Sequence, residues 1–315
     1  MLSGLSKSYG DQAAVKDLDL RVERAEIHGF LGRNGAGKTT TMKCLMGLLR
    51  WDSGSATLFG ERYHPTDIRA RARIGYSPEL PSYPSHLSGR EVLEIYGRMR
   101  GLPREEARSM ALPLLRRVTL SDAAEKRVGK YSRGMQAKLG LAVALLGEPE
   151  LLILDEPTAG LDPLAASQVR ALFLDLARGG TSILLSSHQL SEVQQISSRL
   201  TLIEKGQNLL EGSVADLVQH AQGGVVYRAE LNRLPKELER DARVLEGVTA
   251  VRTAEGPERP TMELVLKKDY DVREPLARLA MKHGAVMLSC QREESSLETL
   301  FLNVVKEKME TSTKS

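Results

Sequence analysis

Two continuous apolar runs, LLILD (151–155) and TSILLSS (181–187), set the pattern of this chain. Runs of that length without alternation predict central parallel strands covered on both faces. EIHGFLG (26–32) predicts a third short apolar strand, and KTTTMKCLMGLL (38–49) a helix directly after it. ARIGYS (72–77) returns to strand, and RLTLIEKGQNLLEG (199–212) predicts two strands joined through Lys205-Gly206. From about Ser88 to Gly147 the reading is largely helical. Within it, PREEARSMALPLLRRV (103–118) places Pro103 suitably for a first helical turn, whereas Pro113 predicts a kink or a break. Strands alternating with helices argue for an α/β sheet with a helical insertion between Tyr76 and Leu151. No internal repeat interrupts that order.

After QHAQGG (219–224) the pattern changes. VVYRAEL, GVTAVRTAE, TMELVLKK and AVMLSC predict strands, while LPKELERDARVL and REPLARLAMKHG predict helices. The resulting β-α-β-β-α-β order is the ferredoxin-like split βαβ pattern, a small α+β domain. SLETLFLNVVKE (296–307) predicts a closing helix, and TSTKS a frayed polar tail. The expected domains are therefore 1–219, with a helical subdomain at about 80–149, and 220–315.

Composition narrows the function classes. A chain of 315 residues is long enough for two domains and an ample core. Its 41% hydrophobic and 27% charged content are ordinary for a soluble globular protein. The formal net charge of +3 reads as a solvated surface, and 4% aromatics leave little material for stacking single-stranded nucleic acid. Cys44 and Cys290 are too few and too isolated for a disulfide framework or a zinc site, and Cys44 reads as a small core residue. No apolar run approaches the roughly 18 residues that span a bilayer, and the N-terminus lacks a signal-peptide pattern. A soluble, cytosolic protein is the expectation.

The candidate chemistry lies at the ends of the predicted strands. GRNGAGKTT (Gly32, Asn34, Gly35, Ala36, Gly37, Lys38, Thr39 and Thr40, with Arg33) fits G-x-x-x-x-G-K-[ST] between a strand and a helix. Such glycines let backbone N–H groups wrap phosphates, and the helix start adds partial positive charge. Lys38 supplies a full charge, and the Thr39 hydroxyl is placed to bind Mg²⁺. Asp155, ending the LLILD strand, would sit beside that loop and hold Mg²⁺. Glu156, the next residue, projects differently and suits a base that orients and partly deprotonates a water. His188, after TSILLSS, falls on the same edge as a donor to a γ-phosphate. YSRGMQ (131–136) has no nucleophile, base or metal ligand, yet opens a helix shortly before LLILDEP.

Taken in order, GRNGAGKTT, YSRGMQ, LLILDE, AGLD and SSH resemble the Walker A, signature, Walker B, D-loop and switch-histidine motifs of an ABC transporter's ATP-binding subunit. The resemblance covers roughly residues 1–219 and implies a P-loop NTPase (ABC ATPase) core that hydrolyses ATP with Mg²⁺. It implies that the signature closes over ATP held by the opposite subunit. Ser132 would then cap a helix and donate to the γ-phosphate, while Gly134 lets the backbone come close to it and Met135 counts among the same nucleotide-binding residues. Arg133 and Met135 stand where the commonest form has glycine and glutamine. By the same resemblance Tyr9, which follows an initial strand upstream of the phosphate loop, stacks on adenine, and Asp162 communicates between the two sites of a dimer. Glu79 occupies the place of a glutamine that often coordinates Mg²⁺.

The C-terminal domain, with its ending SSLETLFLNVV, resembles the accessory domain of multidrug-exporter subunits. The implied partners are a multi-span membrane permease and a second copy or a related ATPase subunit, with no nucleic acid. The implied place is peripheral, on the cytoplasmic face of the cell membrane. The alternative is a soluble ABC ATPase acting in translation or on DNA. Such relatives usually carry two ATP domains or a long coiled-coil insertion, and this chain has neither. A kinase-like P-loop enzyme would leave the signature unexplained.

Overall fold

The computed structural model describes residues 1–221, 225–255, 259–267 and 270–293. Its contacts divide between a unit of Met1–Val214 and a unit from Ala215 onward. Among the described residues no helix is long and apolar enough to cross a membrane.

The first unit holds two sheets. One is antiparallel, made of β1 (Leu2–Tyr9), β2 (Gln12–Leu20), β4 (Ser53–Leu58) and β5 (Glu61–Tyr63), in the order β2-β1-β4-β5. Apart from an initial strand before Tyr9, this sheet is not foreseen by the apolar pattern. The other has six strands in the order β10-β9-β3-β8-β7-β6. These are β3 (Ile27–Leu31), β6 (Ile74–Ser77), β7 (Leu151–Leu154), β8 (Ser182–Ser187), β9 (Arg199–Glu204) and β10 (Gln207–Ser213). Strands β9, β3, β8, β7 and β6 run parallel, and β10 turns back antiparallel to β9. Every residue of β3 and β7 is buried, as continuous apolar runs require in a sheet covered on both faces.

Helix α1 (Lys38–Leu45) joins the two sheets. Its fully buried Met42 and Cys44 share one core with Leu5 and Leu18 of the antiparallel sheet and Phe30, Ile153, Leu184 and Ile203 of the parallel one. Full burial of each large apolar side chain is worth about 1.5–3 kcal/mol. That core fixes the start of α1, and with it the loop that precedes the helix.

Helix α2 (Ile68–Ala72) precedes β6, and α3 (Gly89–Met99), α4 (Arg104–Arg117) and α5 (Arg133–Ala144) form the helical insertion. Ser88 starts α3 with a capping box: its Oγ accepts from the Glu91 N–H at 3.2 Å, and Glu91 Oε2 accepts from the Ser88 N–H at 2.8 Å. Pro103 sits at the N-cap of α4, one position before the first turn where the sequence put it. The helix also runs on through Pro113 instead of breaking there. Pro113 and Ser109 lie on the exposed face, where water can serve the carbonyl that the missing N–H would have engaged. Helices α6 (Pro163–Arg178) and α7 (Leu190–Ile196) complete the first unit, and α8 (Val214–Ala221) starts at its last residue.

In the second unit, β11 (Val225–Leu231), α9 (Lys236–Ala242), β12 (Val248–Glu255), β13 (Pro260–Leu266), α10 (Arg273–Lys282) and β14 (Met287–Glu293) follow in that order. The four strands form an antiparallel sheet in the order β12-β13-β11-β14. Tyr227, Leu231, Leu238, Met262, Leu264 and Leu276 make its core. The closing helix expected over 296–307 and the polar tail lie outside the described residues.

Candidate functional site

The site is built where β3, β7 and β8 end. Beyond Leu31 the chain turns through Gly32–Gly37 and opens directly into α1. Gly37 has φ of 109°, and a Cβ there would meet the Ala14 carbonyl oxygen at 2.5 Å. No other residue type fits that corner without displacing backbone. Gly206, in the β9–β10 turn, supports the same loop: its N–H donates to the Ala36 carbonyl at 2.9 Å. Among the described residues no side chain caps α1, so its first N–H groups face the loop with the helix's partial positive charge.

Lys38 turns back over this loop and is 6% exposed. Its Nζ donates to the Gly32 carbonyl at 2.7 Å and stands 3.3 Å from Glu156 Oε1. Among the described residues Glu156 Oε1 receives no aligned hydrogen bond, so its approach to Lys38 is a charge contact. Glu156 Oε2 and His188 Nδ1 share a hydrogen bond of 2.8 Å, whose proton lies on the nitrogen if the carboxylate is ionised.

Asp155 is 2% exposed, and both its oxygens are engaged. Oδ2 accepts from the Thr39 hydroxyl at 2.8 Å, and Oδ1 from the Ser186 hydroxyl at 2.6 Å. The Glu156 N–H donates in turn to Ser186 Oγ at 2.9 Å. Glu156 itself has φ of 49°, the left-handed region that non-glycine residues seldom enter. The reversal turns its carboxylate toward Lys38 and His188, away from the course of β7. Beside them, burial and then the Asp155 carboxylate push the Tyr76 phenol up to about 12, so it stays neutral at physiological pH.

A groove of about 240 Å³ runs over the loop, lined by Arg33 to Thr40, Ala14, Glu79 and Glu156. Among the described residues no cluster of three or more His, Cys, Asp or Glu could hold a metal ion unaided. The Thr39 hydroxyl, Asp155 and Glu79 are hard oxygen donors, the partial set that suits Mg²⁺ shared with phosphate oxygens.

The signature segment lies elsewhere. Ser132 is the N-cap of α5, its Oγ accepting from the Met135 N–H at 3.2 Å. Ser132, Gly134, Met135 and Asp162 line a second cavity of about 250 Å³ with Lys138 and Asp122. The described linings of the two cavities share no residue. Asp162 caps α6, with Oδ1 accepting from the Ala165 N–H at 2.8 Å. Tyr9, at the end of β1, is 51% exposed and is absent from the described lining of the first groove, to which the next strand contributes Ala14.

Sequence reasoning did not find Ser186, Gly206 or Ala14. A serine inside an apolar run carries no signal of its own, and the other two act only through chain segments far away in sequence.

Residues 15–159 match the family model described as ABC transporter. A daunorubicin resistance ATP-binding protein of Streptomyces coeruleorubidus is 41% identical over 223 residues, covering 71% of this chain and 70% of that protein. A linearmycin resistance ATP-binding protein of Bacillus subtilis (strain 168) is 32% identical over 307 residues, covering 95% and 96%. The structure of an ATP-binding subunit of an ABC transporter superposes with a TM-score of 0.64 at 30% identity, covering 70% of this chain and 91% of that one. A dimeric ATP-binding cassette bound to ADP and Pi reaches 0.62 at 21% identity, over 68% and 97%, a likeness of fold.

Proposed function

The chain belongs to the ABC transporter family as an ATP-binding subunit, and from that membership we infer that the groove over Gly32–Thr40 is the seat of its ATP hydrolysis. The observation that carries this reading is the convergence of Lys38, Thr39, Asp155, Glu156 and His188 on one sheet edge. Lys38 and the loop N–H groups hold the β- and γ-phosphates of ATP. Thr39 and Asp155 hold Mg²⁺, with Glu79 at hand in the same groove. When bound, that ion neutralises charge on the phosphate oxygens. Glu156 takes the proton of the attacking water; His188 steadies its carboxylate through Nδ1, and when the ring carries both protons its Nε2 can also donate toward the γ-phosphate. Tyr9 stacks on the adenine.

Each site is completed by a second subunit. Ser132, Gly134 and Met135 line a cavity that contains no residue of the phosphate loop, which supports their acting on the ATP of a facing chain. Asp162, fixed at the start of α6, lies beside the signature and links the two sites. The dimer, of two copies or of this chain with a related ATPase subunit, powers a multi-span membrane permease of exporter type from the cytoplasmic face. A soluble role in translation or on DNA finds no support in these relatives, which are ATP-binding proteins of daunorubicin and linearmycin resistance.

Mixed dimers test the shared site. Ser132→Arg chains with Lys38→Ala chains leave one whole site and one doubly broken site. Wild type with the Lys38→Ala, Ser132→Arg double variant leaves both sites half-broken. The first mixture is expected to be partly active, and more so per mixed dimer than the second. Equal and measurable activity in the two mixtures, with mixed-dimer formation verified, would argue that each chain hydrolyses ATP alone.

A further inference from the structure

We propose that Ser186 is a positioning residue for hydrolysis, its hydroxyl holding the Asp155 carboxylate and the reversed backbone of Glu156 in one hydrogen-bonded relay. The inference rests on the reading of Asp155 and Glu156 given above. β7 and β8 are parallel with Leu154 opposite Leu185, so the residues that follow, Asp155 and Ser186, meet where the strands end. Ser186 is fully buried, in a strand whose preceding residues Ile183, Leu184 and Leu185 are apolar.

The hydrogen bonds at Ser186 have only one consistent polarity. The Glu156 N–H can only donate, so Ser186 Oγ accepts from it at 2.9 Å. The hydroxyl proton is then free for Asp155 Oδ1 at 2.6 Å. With Thr39 donating to Oδ2, the Asp155 carboxylate is tied on both sides and cannot rotate. The second tie matters more for Glu156. A backbone at φ of 49° persists in a non-glycine residue only where its surroundings fix it. Ser186 Oγ is the partner that fixes this N–H, and the reversal it holds brings Glu156 to Lys38 and His188.

A buried serine that merely satisfied itself would be expected to bond to the nearest carbonyl of its own strand. Both partners here are residues of the reaction, on another strand, and one of them is conformationally strained. The hydroxyl therefore acts through Asp155 and Glu156, its hydrogen-bond partners among the described residues.

The test compares Ser186→Thr with Ser186→Val in the full-length protein. The two side chains have the same shape and differ in the hydroxyl, so any crowding in this closed position affects both alike. Outer partners of metal-holding residues typically contribute about 10–100-fold. Ser186→Val is expected to lose that much in kcat, with the KM for ATP within about threefold of wild type, and Ser186→Thr to recover most of the loss. Hydrogen exchange at the Glu156 amide is expected to quicken in Ser186→Val and stay slow in Ser186→Thr, a readout independent of turnover. Mn²⁺ titration of ATP binding should shift to higher metal concentration in Ser186→Val alone. Equal kcat in the two variants, whether both high or both low, overturns the proposal, as does a loss confined to KM. Lys38→Ala run beside them separates the readings. If it too leaves hydrolysis intact, the groove is not the ATPase site. If it abolishes hydrolysis while Thr and Val agree, only the role of Ser186 falls.

Discussion

Replacing Glu156 by glutamine is expected to separate ATP binding from turnover, in opposite directions. Losing a general base typically lowers the rate by about 10²–10⁴, or about 3–5 kcal/mol of barrier. Binding should move the other way. Glu156 Oε1 stands 3.3 Å from Lys38 Nζ, with side chains only 10% and 6% exposed. At an effective dielectric constant of about 20 that contact has a gross attraction of about 5 kcal/mol, much of it offset by the desolvation of both ions. Incoming phosphate oxygens compete with Glu156 for the same ammonium, and its carboxylate repels them besides. A neutral glutamine removes both obstacles, and a residual preference of about 1.4 kcal/mol would appear as tenfold tighter binding. The assay is equilibrium binding of ATP beside single-turnover phosphate release, with size exclusion to follow accumulation of the ATP-bound dimer. Turnover near the wild-type rate would remove Glu156 from the mechanism. Slow turnover with ATP bound tenfold more weakly would refute the competition for Lys38.

The remaining predictions probe separate links. Tyr9→Ala should weaken ATP binding by about 1–3 kcal/mol if its exposed ring stacks on adenine, with Tyr9→Phe and Tyr9→Trp mild; identical affinity in all three would make it a turn residue. Ser88→Ala should destabilise the protein by about 1 kcal/mol in urea titration, because it breaks the capping box that starts α3; a change near zero would mean the box is not needed. Cys44 is fully buried and its thiol is pushed up to about 11, so aromatic disulfide reagents should modify it only after unfolding; rapid labelling of the native protein would contradict that core. Arg273 holds Asp271 down to about 2 from an ordinary 3.8, so this exposed pair contributes a little stability above pH 4 that is lost as pH falls from about 4 to 2. Asp271→Asn should flatten that part of the acid-unfolding curve, and an unchanged curve would show that the pair contributes nothing.

What the sequence disclosed follows from how local each signal is. The phosphate loop, Asp155 and Glu156 are legible because short-range chemistry dictates them: glycines where φ must be positive, carboxylates where an apolar run stops. Beyond the strand expected before Tyr9, the antiparallel sheet is not. β1 reads LSGLSKSY and β4 reads SGSATL, compositions that resemble turns, and they become strands by pairing with each other, Leu2 with Ala56 and Ser6 with Ser53. Glu156 shows the limit inside the site itself. Its different direction from Asp155 is foreseeable, but the cause is a left-handed residue held by a serine on another strand.

Ser132 shows the same limit from the other side. Its oxygen is engaged by the Met135 N–H, an ordinary cap that sequence alone suggests. Its proton is not: among the described residues the hydroxyl donates to none, and its cavity contains no residue of the phosphate loop. A cap needs only the acceptor, and threonine, asparagine or aspartate would serve α5 as well. Aspartate also favours a helix N-terminus, yet it would repel a phosphate brought there. Ser132→Asp should therefore keep or raise stability toward urea while abolishing ATP hydrolysis. A variant equally stable and equally active would leave Ser132 a cap and nothing more.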